Sequence, residues 1–173
     1  MATGTIELLP GAAVFPDGST SNLAPALTRR QGTQTGAKAH FLTVDFDGAG
    51  ALEQCYWAFR VPADYSSGGA LIVQWQLNAT SNAVKWQAKV GAVTAADADT
   101  VLEHAFGSAA TVTTNVNTTE ARRLVDSSIT LTMDSAAAGD YLTLMLYRDS
   151  ADAADTATQD AEVLAAVFEY TTT

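Results

Sequence analysis

The fold is decided by Ala70-Leu71-Ile72-Val73-Gln74-Trp75-Gln76-Leu77, followed by Asn78-Ala79-Thr80-Ser81-Asn82 and then Ala83-Val84-Lys85-Trp86-Gln87-Ala88-Lys89-Val90. Leu71, Val73, Trp75 and Leu77 alternate with Gln74 and Gln76. Val84, Trp86, Ala88 and Val90 alternate with Lys85, Gln87 and Lys89. Period-2 patterning in β-branched and aromatic residues predicts two strands, and the turn-type residues between them predict a β-hairpin. One face of each strand is apolar, so that face meets a core and the other meets water or a partner. Trp75 and Trp86 both fall on the apolar phase, which places this stretch in the middle of a sandwich.

Outward from it, the same alternation recurs. Leu42, Val44 and Phe46 make a strand that ends at Gly48-Ala49-Gly50, and Cys55, Trp57, Phe59 and Val61 make the next. Pro62 and the run Asp64–Gly69 read as a loop. After Val93 the pattern weakens: Thr94–Phe106 reads as a short helix capped by Thr94, or as a loop leading into a strand. Ala109–Val116 is extended in composition. Ile129, Leu131 and Met133, then Leu142, Leu144 and Leu146, then Leu164, Ala166, Phe168 and Tyr170 supply three more alternating runs. About eight strands without long helices exclude a parallel α/β sheet. They predict an all-β antiparallel sandwich of the jelly-roll type over residues 37–173, with an immunoglobulin-like sandwich as the alternative.

Residues 1–36 hold three of the four prolines, Pro10, Pro16 and Pro25, and are predicted to form an extended N-terminal arm. Ile6, Leu8, Leu9, Val14 and Phe15 interrupt its polar composition, and Arg29 and Arg30 stand together in an acidic chain. These seven are the candidate interface residues. A floppy terminus is the plain reading. An arm packing on a neighbouring subunit is the sharper one, because its prolines and glycines leave no long element to bury those side chains locally.

Composition narrows the function. The chain has 173 residues, a net charge of −10 and only nine basic residues, which disfavours direct binding to nucleic acid or an anionic membrane. No apolar run reaches the roughly 20 residues of a spanning helix. The start Met1–Thr5 lacks the basic and apolar regions of a signal peptide. Cys55 is the only cysteine, so no intrachain disulfide forms. His40 and His104 carry no catalytic motif around them, and no nucleophile elbow or phosphate loop occurs. No enzymatic role and no cofactor are expected. Asp149, Asp152, Asp155, Asp160 and Glu162 have a spacing compatible with calcium, but they do not follow the EF-hand order and read as a solvated acidic loop, as do Asp97, Asp99 and Glu103. Trp57, Trp75 and Trp86 read as core. Tyr56, Tyr65, Tyr141 and Tyr147 read as outward or loop residues, suited equally to sugars and to protein interfaces.

The order Phe41-Leu42-Thr43-Val44-Asp45-Phe46, then Tyr56-Trp57-Ala58-Phe59-Arg60-Val61-Pro62-Ala63-Asp64-Tyr65, resembles a group of small tailed-bacteriophage virion proteins. The similarity continues through Gly139–Leu142, Leu146–Asp149, Asp152–Thr156, Asp160–Leu164 and Phe168–Thr171, and spans roughly residues 22–173. The resemblance implies a jelly-roll decoration or cement protein on the capsid surface, commonly a homotrimer, assembled in the host bacterial cytoplasm against the major capsid protein. The alternative is a carbohydrate-binding or tail-associated sandwich that contacts the host surface.

Overall fold

In the computed structural model, which describes residues 2–50, 52–95, 98 and 100–173, ten strands form two antiparallel sheets. They are β1 (Thr3–Leu8), β2 (Ala26–Gln31), β3 (His40–Phe46), β4 (Leu52–Arg60), β5 (Tyr65–Leu77), β6 (Ala83–Val93), β7 (Ala110–Asn115), β8 (Val125–Thr130), β9 (Tyr141–Asp149) and β10 (Ala161–Thr172). A single 3-10 turn, Pro10–Ala12, follows β1. One sheet has the order β2-β3-β10-β5-β8, with β1 also on β10, and the other β4-β9-β6-β7. Apart from the β2–β3 and β6–β7 pairs, consecutive strands from β2 onward change sheet at every connection. That is the winding of the jelly roll expected from about eight strands.

The β5–β6 stretch is not a hairpin. β5 pairs with β10 and β8, while β6 pairs with β7 and β9 in the opposite sheet. Residues Asn78–Asn82 arch over the end of the sandwich, with Asn82 in the left-handed region at φ 86°. The physical reason lies in the two apolar faces. An arch lets both turn inward and meet across the layers, so that Trp75 and Trp86 pack edge-to-face at 5.8 Å, and Trp86 meets Phe46 the same way at 5.2 Å. Leu71, Val73, Val84, Val90, Ile129, Leu142, Leu144 and Phe168 complete the interior.

Residues 1–36 do not stand apart as a unit of their own. β3 occupies β10 only at Ala161–Val163, leaving the edge from Ala166 to Thr171 open, and β1 pairs there in register Leu8↔Ala166 to Thr3↔Thr171. Val14 exchanges two backbone hydrogen bonds with Tyr56, and Leu23 O accepts from Gln54 N, so the chain then runs along the outer edge of β4. β2 finally pairs with β3. A boundary at residue 36 therefore falls in the β2–β3 connection. The expectation that the arm's apolar residues find no local burial fails for three of them: Leu8 is buried, and Ile6 and Phe15 pack half-buried against the core. Leu9 and Val14 are exposed.

Three smaller differences follow from local chemistry. β5 begins at Tyr65 and runs through Gly68-Gly69, which were expected in a loop; Gly68 adopts φ 65°, a conformation glycine takes without strain. Thr100–His104 form a turn rather than a helix, with Thr100 O accepting from the backbone N–H of Glu103 and of His104. Leu131 and Met133 lie just beyond β8.

Candidate functional site

A cleft of about 510 Å³ opens on the outer face of the four-stranded sheet. Its floor follows from strand parity. Cys55, Trp57, Leu142, Leu144 and Val90 point inward, so Tyr56 and Ala58 of β4, Tyr141 and Thr143 of β9, and Gly91 and Val93 of β6 point out. One wall is Val14-Phe15-Pro16, fixed by the backbone pair between Val14 and Tyr56. The other is Val101–Phe106. That wall is tied down at three points. His104 Nε2 lies 2.6 Å from Asp134 Oδ2, the same oxygen accepts from Ala92 N, and Gly107 N donates to Val90 O. Phe106 leans on the Tyr56 ring at 6.0 Å, tilted by 34°. Gly91 keeps the floor low, since a Cβ there would touch His104 and Phe106.

The cleft is mostly apolar and its rim is open. Leu102 is 97% exposed, Val14 59%, Val101 53% and Tyr141 43%. Among the described residues polar groups are few: the Tyr56 and Tyr141 hydroxyls, Thr143, and a His104 ring already engaged by Asp134. Burial pushes the Tyr56 phenol above its ordinary pKa, which keeps the hydroxyl protonated as a hydrogen-bond donor.

The seven residues expected at an interface do not converge. Phe15 and Val14 join the cleft. Leu9 lines a second apolar hollow of about 430 Å³ with Pro10, Phe41, Leu42 and Leu164. Ile6 and Leu8 serve the core. Arg29 is exposed on β2. Arg30 reaches Asp45 Oδ2 at 2.6 Å and Glu162 Oε1 at 3.0 Å, across the outer face of the other sheet.

Sequence reading missed the 101–106 wall as part of a site. Val101, Leu102 and Ala105 suit one side of a short helix, and nothing in their spacing marks the wall of a cleft. The three tryptophans are buried, as read from phase. Of the four tyrosines read as outward or loop residues, Tyr65 and Tyr147 are also buried, Tyr65 beside Tyr170 and Tyr147 beneath Lys89. His40 is exposed at the start of β3, and burial pushes the Cys55 thiol far up, leaving it inert.

The acidic loop is not simply solvated. Asp155 is buried on Arg148, and Glu162 is buried against Gln76 and Arg30. Asp152 pairs with Lys85, while Asp149 and Asp160 accept backbone N–H groups from Ala151 and Gly48. Asp97 and Asp99 lie outside the described residues, and Glu103 accepts from the Thr100 hydroxyl at 3.4 Å. Among the described residues no three acidic, histidine or cysteine side chains converge as metal ligands. Because Asp152, Asp155 and Glu162 are already engaged by Lys85, Arg148 and Arg30, thermal melts in excess calcium and in chelator should coincide. A rise of several degrees with calcium would show that these carboxylates exchange their protein partners for the ion.

No protein-family model matches the chain, and no curated protein does. Among solved structures it is similar to a family 35 carbohydrate-binding module from an environmental isolate, at 12% identity and a TM-score of 0.47, over 100% of this chain and 99% of that one. It is similar also to a family 35 module from Clostridium thermocellum, at 14% identity and 0.44, over 95% and 97%. A third is CBM28, a module specific for non-crystalline cellulose, at 8% identity and 0.47, over 96% and 94%. With identities of 14% or less and TM-scores below 0.5 in all three, what those modules bind stays with them.

Proposed function

We propose that this chain is a structural, non-catalytic virion protein of a tailed bacteriophage, a decoration or cement protein that docks on the head shell through the cleft of its four-stranded sheet. The observation that carries a protein partner is the cleft's chemistry. An apolar hollow with Leu102, Val101 and Val14 standing in solvent at its rim costs free energy until another apolar surface covers it. The partner's class, the major capsid protein, comes from the resemblance of Phe41–Phe46 and Tyr56–Tyr65 to virion proteins. A net charge of −10 keeps the protein soluble at high local concentration before attachment.

A second reading has its own support. Tyr56, Phe106 and Tyr141 put aromatic rings in the same cleft, as a glycan-binding sandwich on a tail or host-facing surface would need. Among the described residues the cleft's free polar groups are Thr143 and two phenols, without a cluster of amides and carboxylates to grip sugar hydroxyls. The two readings separate in one experiment. Leu102→Asp should cut retention on purified particles tenfold or more while changing stability by less than about 0.5 kcal/mol, since the side chain is solvated. Tyr141→Ala should affect retention less. Binding to a glycan array that is lost with Tyr141→Ala and kept with Leu102→Asp would replace the first reading by the second.

A further inference from the structure

We propose that residues 2–31 are an exchangeable arm, seated in the assembled protein on the sandwich of a second copy of this chain. Strands β3 to β10 already complete the jelly roll, β3-β10-β5-β8 over β4-β9-β6-β7. Everything the arm adds lies on a rim: β1 on the open end of β10, Val14 and Leu23 on the outer edge of β4, and β2 on the outer edge of β3. Open strand edges of this kind accept an identical strand from another chain as readily as from their own.

The seat is specific for this arm. Asp45 and Glu162 face each other across β3 and β10 as register partners, both buried. Arg30 bridges them; with the arm gone Asp45 would lose its ion pair, and Glu162 would keep the Gln76 amide and, at 3.4 Å, Arg122. An empty seat is thus strongly disfavoured. What refills it must be an extended segment carrying a guanidinium at that register. In a chain with nine basic residues, the arm with its adjacent Arg29 and Arg30 meets that requirement. The connection allows the exchange. Thr33–Ala39 are all exposed, and Gly36 sits at φ 88°. Eight extended residues, 32–39, span up to about 26–29 Å, enough to reach an adjoining copy. Because the arm supplies Val14, Phe15 and Pro16, each copy's cleft is then completed by its neighbour. Only this last consequence rests on the cleft being the docking site.

Crosslinking of the full-length chain reads the exchange without any partner. Thr5 faces Glu169 and Arg29 faces Leu42 across antiparallel pairs, where disulfide geometry can be met. The pairs Thr5→Cys with Glu169→Cys, and Arg29→Cys with Leu42→Cys, are oxidised separately at high protein concentration. The expected result is covalent dimers and trimers on non-reducing gels, absent from controls that carry one introduced cysteine beside the buried Cys55. A monomer band in which both introduced thiols are consumed, for either pair that folds, would show that the arm stays on its own sandwich. Loss of particle binding with crosslinked multimers present would instead count against the cleft as docking site and leave the exchange intact.

Discussion

Arg148→Ala should destabilise the sandwich by about 3–5 kcal/mol, or prevent folding, when followed by urea titration. Arg148 is completely buried near the end of β9, and each of its five N–H donors has an acceptor. Nε and Nη2 fork onto the two oxygens of Asp155, both at 2.9 Å. Nη2 also donates to Ala157 O, and Nη1 donates to Phe46 O and Gln159 O. One side chain thus ties the 150–160 loop to β3 and β9. Truncation removes the cation from the buried Asp155 carboxylate, leaving it the Lys85 and Ala157 backbone N–H groups, and takes a donor from three carbonyls. Arg148→Lys should recover only part of the loss, because an ammonium cannot reproduce the planar fork. Arg148→Met with Asp155→Leu should be more stable than Arg148→Ala, since it removes both charges together. A loss below 1 kcal/mol for Arg148→Ala would mean that the pair is hydrated and the loop is free of it.

That arginine was not read from the sequence. Leu142, Leu144 and Leu146 set an inward phase that Arg148 continues, but a charge at the end of an apolar run reads equally as the first residue of the acidic loop that follows. Phase reports which face a side chain occupies and nothing about which strand lies alongside. For that reason Trp75 and Trp86 were placed correctly in the core while β5 and β6 were paired wrongly: turn-type residues at 78–82 suit an arch between sheets as well as a hairpin within one. The seat of the arm was hidden for the same reason. The open edge of β10 exists only because its pairing with β3 stops at Val163, which is a property of the assembled sheet. The floor of the cleft, Tyr56 and Tyr141, could be read as outward from alternation. Its wall could not, because loop 101–106 is placed by His104 on Asp134, thirty residues away in sequence.

Trp75→Ala should cost about 3–5 kcal/mol, as large aromatic truncations in close-packed cores do. Trp75 is fully buried near the end of β5, flanked by Val163 of β10 and Val125 of β8, with Trp86 against its ring. A sharper test compares the two indoles. Trp75 Nε1 donates to Ser127 Oγ at 2.8 Å, and that hydroxyl donates on to Thr114 Oγ1, linking the sheets through β8 and β7. Trp86 Nε1 is equally buried but has no hydrogen-bond partner. Phenylalanine at either position removes a comparable volume of ring. At Trp75 it also breaks a buried hydrogen bond, whereas at Trp86 it removes a donor that was already unsatisfied. Trp75→Phe should therefore be less stable than Trp86→Phe by about 1 kcal/mol in denaturant titration. The opposite order would show that the indole of Trp86, rather than that of Trp75, holds the polar contact in the core.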